Sequence, residues 1–299
     1  MSGALPGYRF LERISRPAPL GLVFWDFATG TPVADDLSVS IALKSRAGVA
    51  RTLISNRNGV WLAPDLPGRS AYELATVDWA ALRRTYRVEV VDPLGRFLPL
   101  AFDAELPSRG LYHWPGWETL PTEPMTPLGA DPSPPRISPR RIPLFSAPGR
   151  PTPPALAEVR CQLVDSSTGD AAAWALLTVG HDGRTRGIGL SDKEGRVALL
   201  FGYPERPRPS LATSPPAITD YRWELDVQAF FDPTPGPPPA VPDLEQMMAQ
   251  LDHPRDLLKS TLSPPELLPS QLLTYGRPMV LRTSRTPEGS SSSLFLGPD

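Results

Sequence analysis

The chain has 299 residues, of which 40 are proline, and its formal net charge is −2. Proline makes up about 13% of the chain, against about 5% in an average protein, and it is not tolerated inside a helix or a central strand. These values exclude a mostly helical protein and a regular α/β enzyme, and the small net charge argues against a nucleic-acid partner.

The chain begins with a stretch that we assign to an N-terminal arm, residues 1–20, which lacks the basic and then apolar pattern of a signal peptide. No run approaches the roughly 18 apolar residues that a membrane span needs. The single cysteine, Cys161, rules out an internal disulfide and gives no sign of an oxidising compartment. We therefore expect a protein that is made and assembled in the cytoplasm and does not span a membrane.

An internal repeat begins directly after this arm. The motif D-x-x-T-G follows an apolar run at 26–30 and again at 165–169. An N-G or E-G pair lies 29 and 26 residues beyond these motifs, and a Tyr-Arg-x-Glu sequence follows after a further 27 and 26 residues. Three landmarks in one order at nearly equal spacing indicate a duplication. The turn landmarks are Asp26, Gly30, Asn58, Gly59, Asp165, Gly169 and Gly195.

Each copy has the pattern of short strands joined by turns. Aspartate can bond to the backbone that follows it and glycine supplies a positive φ, while segments such as 37–43 alternate between apolar and other side chains. We predict an all-β fold with two small antiparallel β-sandwiches of immunoglobulin or transthyretin type, at 21–120 and 155–299. Asp26 and Asp165 are also candidate calcium ligands, although a role in the turn is favoured.

The order of these features resembles the carboxypeptidase regulatory-like, or transthyretin-like, β-sandwich module. The similarity covers about 21–107 and 157–233 and rests on the D-x-x-T-G turn, the following strands, and the N-G or E-G turn. That family is generally non-catalytic. The resemblance therefore implies that each copy serves as a folding or interaction unit.

The two sandwiches are joined by a proline-rich linker, residues 121–154, which we predict to be extended. It is either a semi-rigid spacer or an arm that lies over a neighbouring subunit and pairs its arginines with carboxylates. The spacer is the favoured interpretation, and an apolar Leu-Phe pair, for which a spacer has no use, keeps the arm as the alternative. The candidate arm residues are Arg136, Arg140, Arg141, Leu144, Phe145 and Arg150.

The clearest helix signal lies in an insertion at 243–273, directly after a second proline-rich tract. Asp243 is a suitable N-cap, with a glutamine three residues later. The apolar stripe that follows is either packed in the core or exposed to a partner. We also predict a second short helix at 263–268 and a strand at 277–283. The candidate helical face consists of Leu244, Met247, Met248 and Leu251.

No catalytic or metal-binding pattern is present. The three histidines are about 70 residues apart, and the sequence has no phosphate-binding loop or nucleophile elbow. We predict no catalysis, no cofactor and no metal. The aromatic stretch at 112–117 offers Trp114 and Trp117 as a surface for stacking on a sugar, although a place in the sandwich core is the default for tryptophan.

The second half of the chain, roughly 141–299, is similar to uncharacterised proteins of phage tail-like contractile injection systems. The similarity lies in the segments 141–150, 159–165, 187–197 and 273–283. It implies a non-catalytic structural subunit, either a cap, a cap adaptor or a baseplate-side part, which binds tube or sheath ends and repeats around a symmetry axis in a large particle. The alternative is a carbohydrate-binding or adhesive β-sandwich protein.

Overall fold

The fold of the protein is given by a computed structural model that describes residues 18–45, 48, 50–68, 83–108, 110–116, 120, 141–205 and 217–298. This part of the chain forms strands arranged in five sheets, together with one short α-helix. The predicted all-β sandwich class is confirmed. Most of the predicted N-terminal arm, residues 1–17, lies outside the described residues.

The first sandwich packs a four-stranded sheet, in the order β5-β4-β8-β9, against two three-stranded sheets, β1-β7-β6 and β10-β2-β3. Alternate residues of β4 and β8 are buried, as the period of two predicts. The strands are β1 (Leu20–Leu22), β2 (Phe24–Asp26), β3 (Thr31–Val33), β4 (Ser38–Leu43), β5 (Arg51–Thr52), β6 (Ile54–Ser55), β7 (Trp61–Ala63), β8 (Arg84–Val91), β9 (Leu100–Leu106) and β10 (Ile142–Leu144).

The second sandwich has one sheet in the order β13-β12-β15-β16, with β19 also paired to β15, and a second in the order β14-β11-β21-β17-β18, with β20 beside β11. The α-helix, α1 (Leu244–Ala249), lies between β15 and β16 in the chain. The strands are β11 (Leu156–Asp165), β12 (Leu176–His181), β13 (Arg184–Leu190), β14 (Arg196–Gly202), β15 (Arg222–Phe230), β16 (Pro254–Arg255), β17 (Leu257–Ser260), β18 (Glu266–Leu267), β19 (Gln271–Thr274), β20 (Met279–Val280) and β21 (Leu294–Leu296).

The two D-x-x-T-G motifs form the same turn. In each, the aspartate side chain accepts the amide N–H of the residue two positions on, at 3.0 Å for Asp26 and 2.9 Å for Asp165. The glycine amide then donates to the aspartate carbonyl, at 2.9 Å for Gly30 and 2.8 Å for Gly169. Both glycines have a positive φ, 67° and 76°, which explains why this position requires glycine.

The second pair of landmarks also forms matching turns, although these are longer than a two-residue hairpin. The amides of Asn58 and Glu194 donate to the side chains two residues earlier, at 2.9 and 3.0 Å. Gly59 and Gly195 have φ values of 74° and 76°. Asn58 itself does not have a positive φ, so the N-G pair does not form the two-residue hairpin turn that this dipeptide usually forms. The turn is instead held by the polar side chain that begins it.

Strand register repeats between the two copies. Leu20 of β1 pairs with Ala63 of β7 in the first sandwich, and Val159 of β11 pairs with Leu199 of β14 in the second. In both copies the first partner lies six residues before the aspartate of the D-x-x-T-G motif. The second partner lies four residues after the glycine of the N-G or E-G pair. Equal pairing at equal distances from the turns indicates that the copies share one architecture.

The same equivalence places β10 inside the first sandwich. Phe24, two residues before Asp26, pairs in parallel with Ile142, and Leu163, two residues before Asp165, pairs in parallel with Leu294. Thus β10 is the counterpart of β21 and completes the first sheet. The boundary that assigned all of 121–154 to a linker is therefore wrong at 142–144, because a parallel pairing to a strand so distant in sequence leaves no local signal.

The insertion at 243–273 contains less helix than predicted. Only α1 and a short 3₁₀ turn at Gln250–Asp252 are helical, and the remainder carries the short strands β16 to β19, joined by turns. The predicted helix at 263–268 is wrong, because Glu266 and Leu267 pair with β17 instead. In the predicted strand at 277–283 only Met279 and Val280 are in β-structure.

Candidate interaction surfaces

The candidate arm residues that the structure describes are used inside their own chain. Leu144 and Phe145 are each only 1% exposed and belong to the core of the first sandwich. The guanidinium of Arg141 lies 3.6 Å from the centroid of a Trp25 ring. For residues 141–150 the interpretation as an arm over a neighbour is therefore wrong, because the apolar side chains of this segment are buried in their own chain. Arg136 and Arg140 lie outside the described residues.

Arg150 forms a buried ion pair with the turn aspartate of the first copy. Its two terminal nitrogens donate to the two carboxylate oxygens of Asp26, at 2.9 and 2.5 Å, and one of them also donates to Ser146 at 3.0 Å. The planar fork of arginine matches a carboxylate in this two-point geometry. Arg150 therefore ties the segment after β10 to the turn after β2.

The turn aspartate of the second copy has an equivalent partner from a different place in the chain. Arg255 donates to Asp165 at 3.5 Å and to the carbonyl oxygen of Gly297 at 2.6 Å, and it is 6% exposed. In each copy a buried guanidinium already neutralises the aspartate carboxylate. A calcium ion at the same carboxylate would be repelled by that positive charge. The turn role accounts for Asp26 and Asp165, and the calcium hypothesis has no support from their surroundings.

The apolar face of α1 is buried in the core of the first sandwich. Leu244, Met247 and Met248 are at most 6% exposed, and Leu251 packs partly buried against the same cluster. This cluster also contains side chains of the second sandwich, namely Trp174, Leu176, Ile188 and Leu190. The stripe is thus core packing, as one of the two interpretations held, and it joins the two sandwiches.

Charged groups fix the start of α1 against the first sandwich. Asp243 accepts the amides of Glu245 and Gln246 as the N-cap. Its carboxylate also accepts a hydrogen bond from Arg87 of β8, which is 3.3 Å from Asp103 of β9. Burial lowers the pKa of Arg87, but the hydrogen bonds and charges of the two aspartates outweigh this and raise it. The helix is therefore anchored at a defined point of the sheet.

The second proline-rich tract crosses between the sandwiches and covers a sheet edge. The indole nitrogen of Trp174 donates to the carbonyl of Pro239 at 3.2 Å, and the side-chain amide of Gln250 donates to the carbonyl of Trp174 at 2.8 Å. The amide of Ala101 in β9 donates to the carbonyl of Pro242 at 2.9 Å. Trp174 has a φ of 62°, which is uncommon outside glycine and is held here by these contacts.

The aromatic stretch at 112–117 contributes to the core where it is described. Trp114 is 1% exposed, so the proposal that it stacks on a sugar is wrong. A Cβ on Gly116 would lie 2.2 Å from the Trp114 ring, which leaves room only for glycine. Tyr112 stacks on Phe102 with ring centroids 5.6 Å apart. Burial of the Tyr112 hydroxyl, and to a smaller extent the negative charge of nearby carboxylates, raises its pKa to about 12. Trp117 lies outside the described residues.

One edge of the second sandwich combines exposed apolar side chains, and sequence reasoning did not identify it. It is formed by β18 and β19, which end the two facing sheets. Leu267 and Leu272 are 58% and 57% exposed. The signal that could have found β19 is the sequence Gln271-Leu-Leu-Thr274, which lies between prolines 269 and 278. The helix-cap pattern at 243–246 hides this signal, because it predicts a helical insertion over the whole segment.

The described residues contain no group of three or more His, Cys, Asp or Glu side chains placed to hold a metal ion. Burial raises the pKa of the Cys161 thiol to about 12. No described helix combines the length and the apolar character that a membrane crossing requires.

No family model and no curated protein matches the sequence. Among solved structures, a Streptococcal ancillary pilin aligns with a TM-score of 0.24 and 13% identity, over 94% of this chain and 62% of the pilin. The shaft pilin spaA from Lactobacillus rhamnosus GG aligns with a TM-score of 0.19 and 10% identity, over 94% of this chain and 97% of that one. The chain thus spans less than two thirds of the ancillary pilin, and these TM-scores support no statement about function.

Proposed function

We propose that the protein is a non-catalytic structural subunit of a phage tail-like contractile injection particle, at its cap, cap adaptor or baseplate side. Its partners would be tube, sheath, cap or baseplate proteins, with copies repeated around the particle axis. The choice of particle comes from the sequence similarity of 141–299. The architecture supports the structural role.

The observation that carries the structural role is the buried joint between the two sandwiches. Helix α1 leaves the second sandwich and buries Leu244, Met247 and Met248 in the core cluster of the first. Each such side chain contributes about 1.5–3 kcal/mol on burial. Two sandwiches joined in this way keep a fixed relative orientation, which a subunit needs when it holds neighbours in a regular array.

The test is whether the protein is found in particles purified from its native cells. A short epitope inserted at the exposed Asp182-Gly183 turn, where nothing lies within 4 Å of a Cβ on the glycine, leaves the joint and both cores intact. After gradient centrifugation we expect the epitope in the heavy fraction that contains sheath and tube proteins. Deletion of the gene should yield particles with defective ends or of abnormal length in electron micrographs.

Two results would contradict the proposal. The first is a protein confined to the light fractions, with particles of normal shape and number in the deletion strain. The second is specific binding of the purified protein to a glycan array, which would instead support the carbohydrate-binding alternative.

A further inference from the structure

Several sheet edges of the described structure carry features that discourage pairing with another chain. Proline, charge and very short strands all have this effect. β3 contains Pro32 and β16 begins at Pro254, while β5 and β18 have only two residues each and carry Arg51 and Glu266. At β9, the amide of Ala101 is already bonded to Pro242. The molecule therefore protects its edges at many places.

The edge strand β19 differs from these. Its four residues, Gln271 to Thr274, include no charge and no proline, and among the described strands it pairs only with β15. Leu273 points inward and is fully buried, whereas Leu272 is 57% exposed. Below it, the Trp223 ring lies 6.5 Å from the ring of Tyr275 and holds the strand against the core. β19 is thus a fixed, uncharged edge with an apolar side chain at its centre.

The hydrogen-bond phase of β19 shows which backbone groups face outward. The amide of Tyr275 donates to the carbonyl of Tyr221 at 3.0 Å, and the register continues with Leu273 opposite Trp223. In an antiparallel pair the residues that bond to the partner alternate with those that face away. The amide and carbonyl of Leu272 therefore point away from β15, towards the open side.

We propose that a second copy of the chain pairs with this edge, β19 against β19 in antiparallel orientation, with Leu272 opposite Leu272 of the other copy. A two-fold axis at Leu272 lets its outward amide and carbonyl bond to the same groups of the partner. The two leucine side chains then lie on the same face and bury each other. The sheets of the two second sandwiches become one continuous sheet.

Charge along the neighbouring strand favours a second copy as the occupant. The exposed side chains of β15 on the Leu272 face run from Arg222, beside Thr274, through Glu224 to Asp226, near Ser270. Antiparallel pairing sets the Arg222 end of each copy level with the Asp226 end of the other, three strand spacings or about 14 Å apart. A parallel arrangement would set like charges level with each other. This dimer does not require an injection particle, since the isolated chain already carries the whole edge.

A cysteine at the two-fold axis gives a direct test. The chain has one cysteine, Cys161, which is buried, so Leu272→Cys adds the one accessible thiol. Opposite residues of an antiparallel pair have Cα atoms about 5.5 Å apart, within the range that a disulfide spans. We expect mild oxidation to convert this variant to a disulfide-linked dimer, while the equally exposed Val280→Cys remains largely monomeric.

A charge at the same position should break the contact. We expect sedimentation equilibrium to show a reversible dimer of the unmodified protein, and Leu272→Lys to raise its dissociation constant at least about tenfold. Val280→Lys, at a position 62% exposed on β20, should leave the dimer unchanged. Both substituted side chains are exposed, and matching melting curves would verify the fold.

Three results would overturn the proposal. They are an unmodified protein that stays monomeric at high micromolar concentration, a dimer that Leu272→Lys does not weaken, and a Leu272→Cys variant that forms no more disulfide-linked dimer than Val280→Cys. A dimer that Leu272→Lys does not weaken would show that the two copies contact each other through another surface. The first would show that β19 does not pair with a second copy.

Discussion

Asp26 illustrates how one residue can serve a turn and a distant segment together. Its carboxylate accepts the amide of Ala28 and the hydroxyl of Thr29, and it also accepts two bonds from Arg150. The aspartate is 4% and the arginine 8% exposed. Since a buried charge without its partner is costly, the two residues depend on each other although 124 positions separate them.

We expect Arg150→Met to lower the free energy of unfolding by about 3–5 kcal/mol, because the Asp26 carboxylate would stay buried without a cation. Urea unfolding at neutral pH measures this. The control is Arg51→Met, since Arg51 lies 3.9 Å from Asp65 in an exposed pair that should contribute no more than about 1 kcal/mol. An equal decrease in the free energy of unfolding in the two variants would show that the buried pair contributes no more to stability than the exposed pair.

Among the elements, β13 and β14 approach each other unusually closely, and glycine makes this possible. A Cβ on Gly187 would lie 2.8 Å from Cβ of Phe201 and 2.9 Å from Cδ2 of Leu199, and one on Gly189 would lie 2.8 Å from Cβ of Leu199. These glycines are thus required by packing between the two sheets.

We expect Gly187→Val to destabilise the protein by roughly 1–3 kcal/mol, the cost of overfilling a packed core. Thermal unfolding followed by circular dichroism measures the change. Gly149→Ala is the matched control, because nothing lies within 4 Å of the added Cβ and no positive φ is involved there. If Gly187→Val melted at the temperature of the unmodified protein, the close approach of β13 and β14 would be disproved.

An element could be predicted from the sequence when the interactions that form it connect residues close together in the chain. The turns at Asp26 and Asp165 were predictable, because the aspartate, the glycine and their hydrogen bonds lie within five residues. The place of Leu144 in the first sandwich was not, because its strand pairs with residues more than 100 positions earlier. For β18, the Ser-Pro-Pro-Glu sequence that suggested a helix start was overridden by pairing with β17.

At the scale of the whole molecule, the two sandwiches are coupled through α1. The core cluster that fills the first sandwich also contains Met247 and Met248 of α1 and Leu176 and Ile188 of the second sandwich. Two domains that share a core lose part of it when either one unfolds. They are therefore expected to unfold together.

We expect calorimetry to show a single unfolding transition for the unmodified chain, with equal calorimetric and van't Hoff enthalpies. Met247→Lys places a charge in the joint and should split this into two transitions, because each sandwich retains most of its own core. Gln246→Lys, one position earlier and exposed, is the control and should keep the single transition. Two transitions in the unmodified chain would disprove the coupling.

The shared register of β10 and β21 bears on the ancestry of the chain and on how it can be divided. A single ancestral unit that gave rise to both copies would already have ended in this parallel closing strand. A truncation at residue 120 would remove the closing strand of the first half together with Arg150. An autonomous N-terminal fragment must therefore extend beyond Arg150, even though nine of the twelve prolines between 121 and 154 would then lie within it.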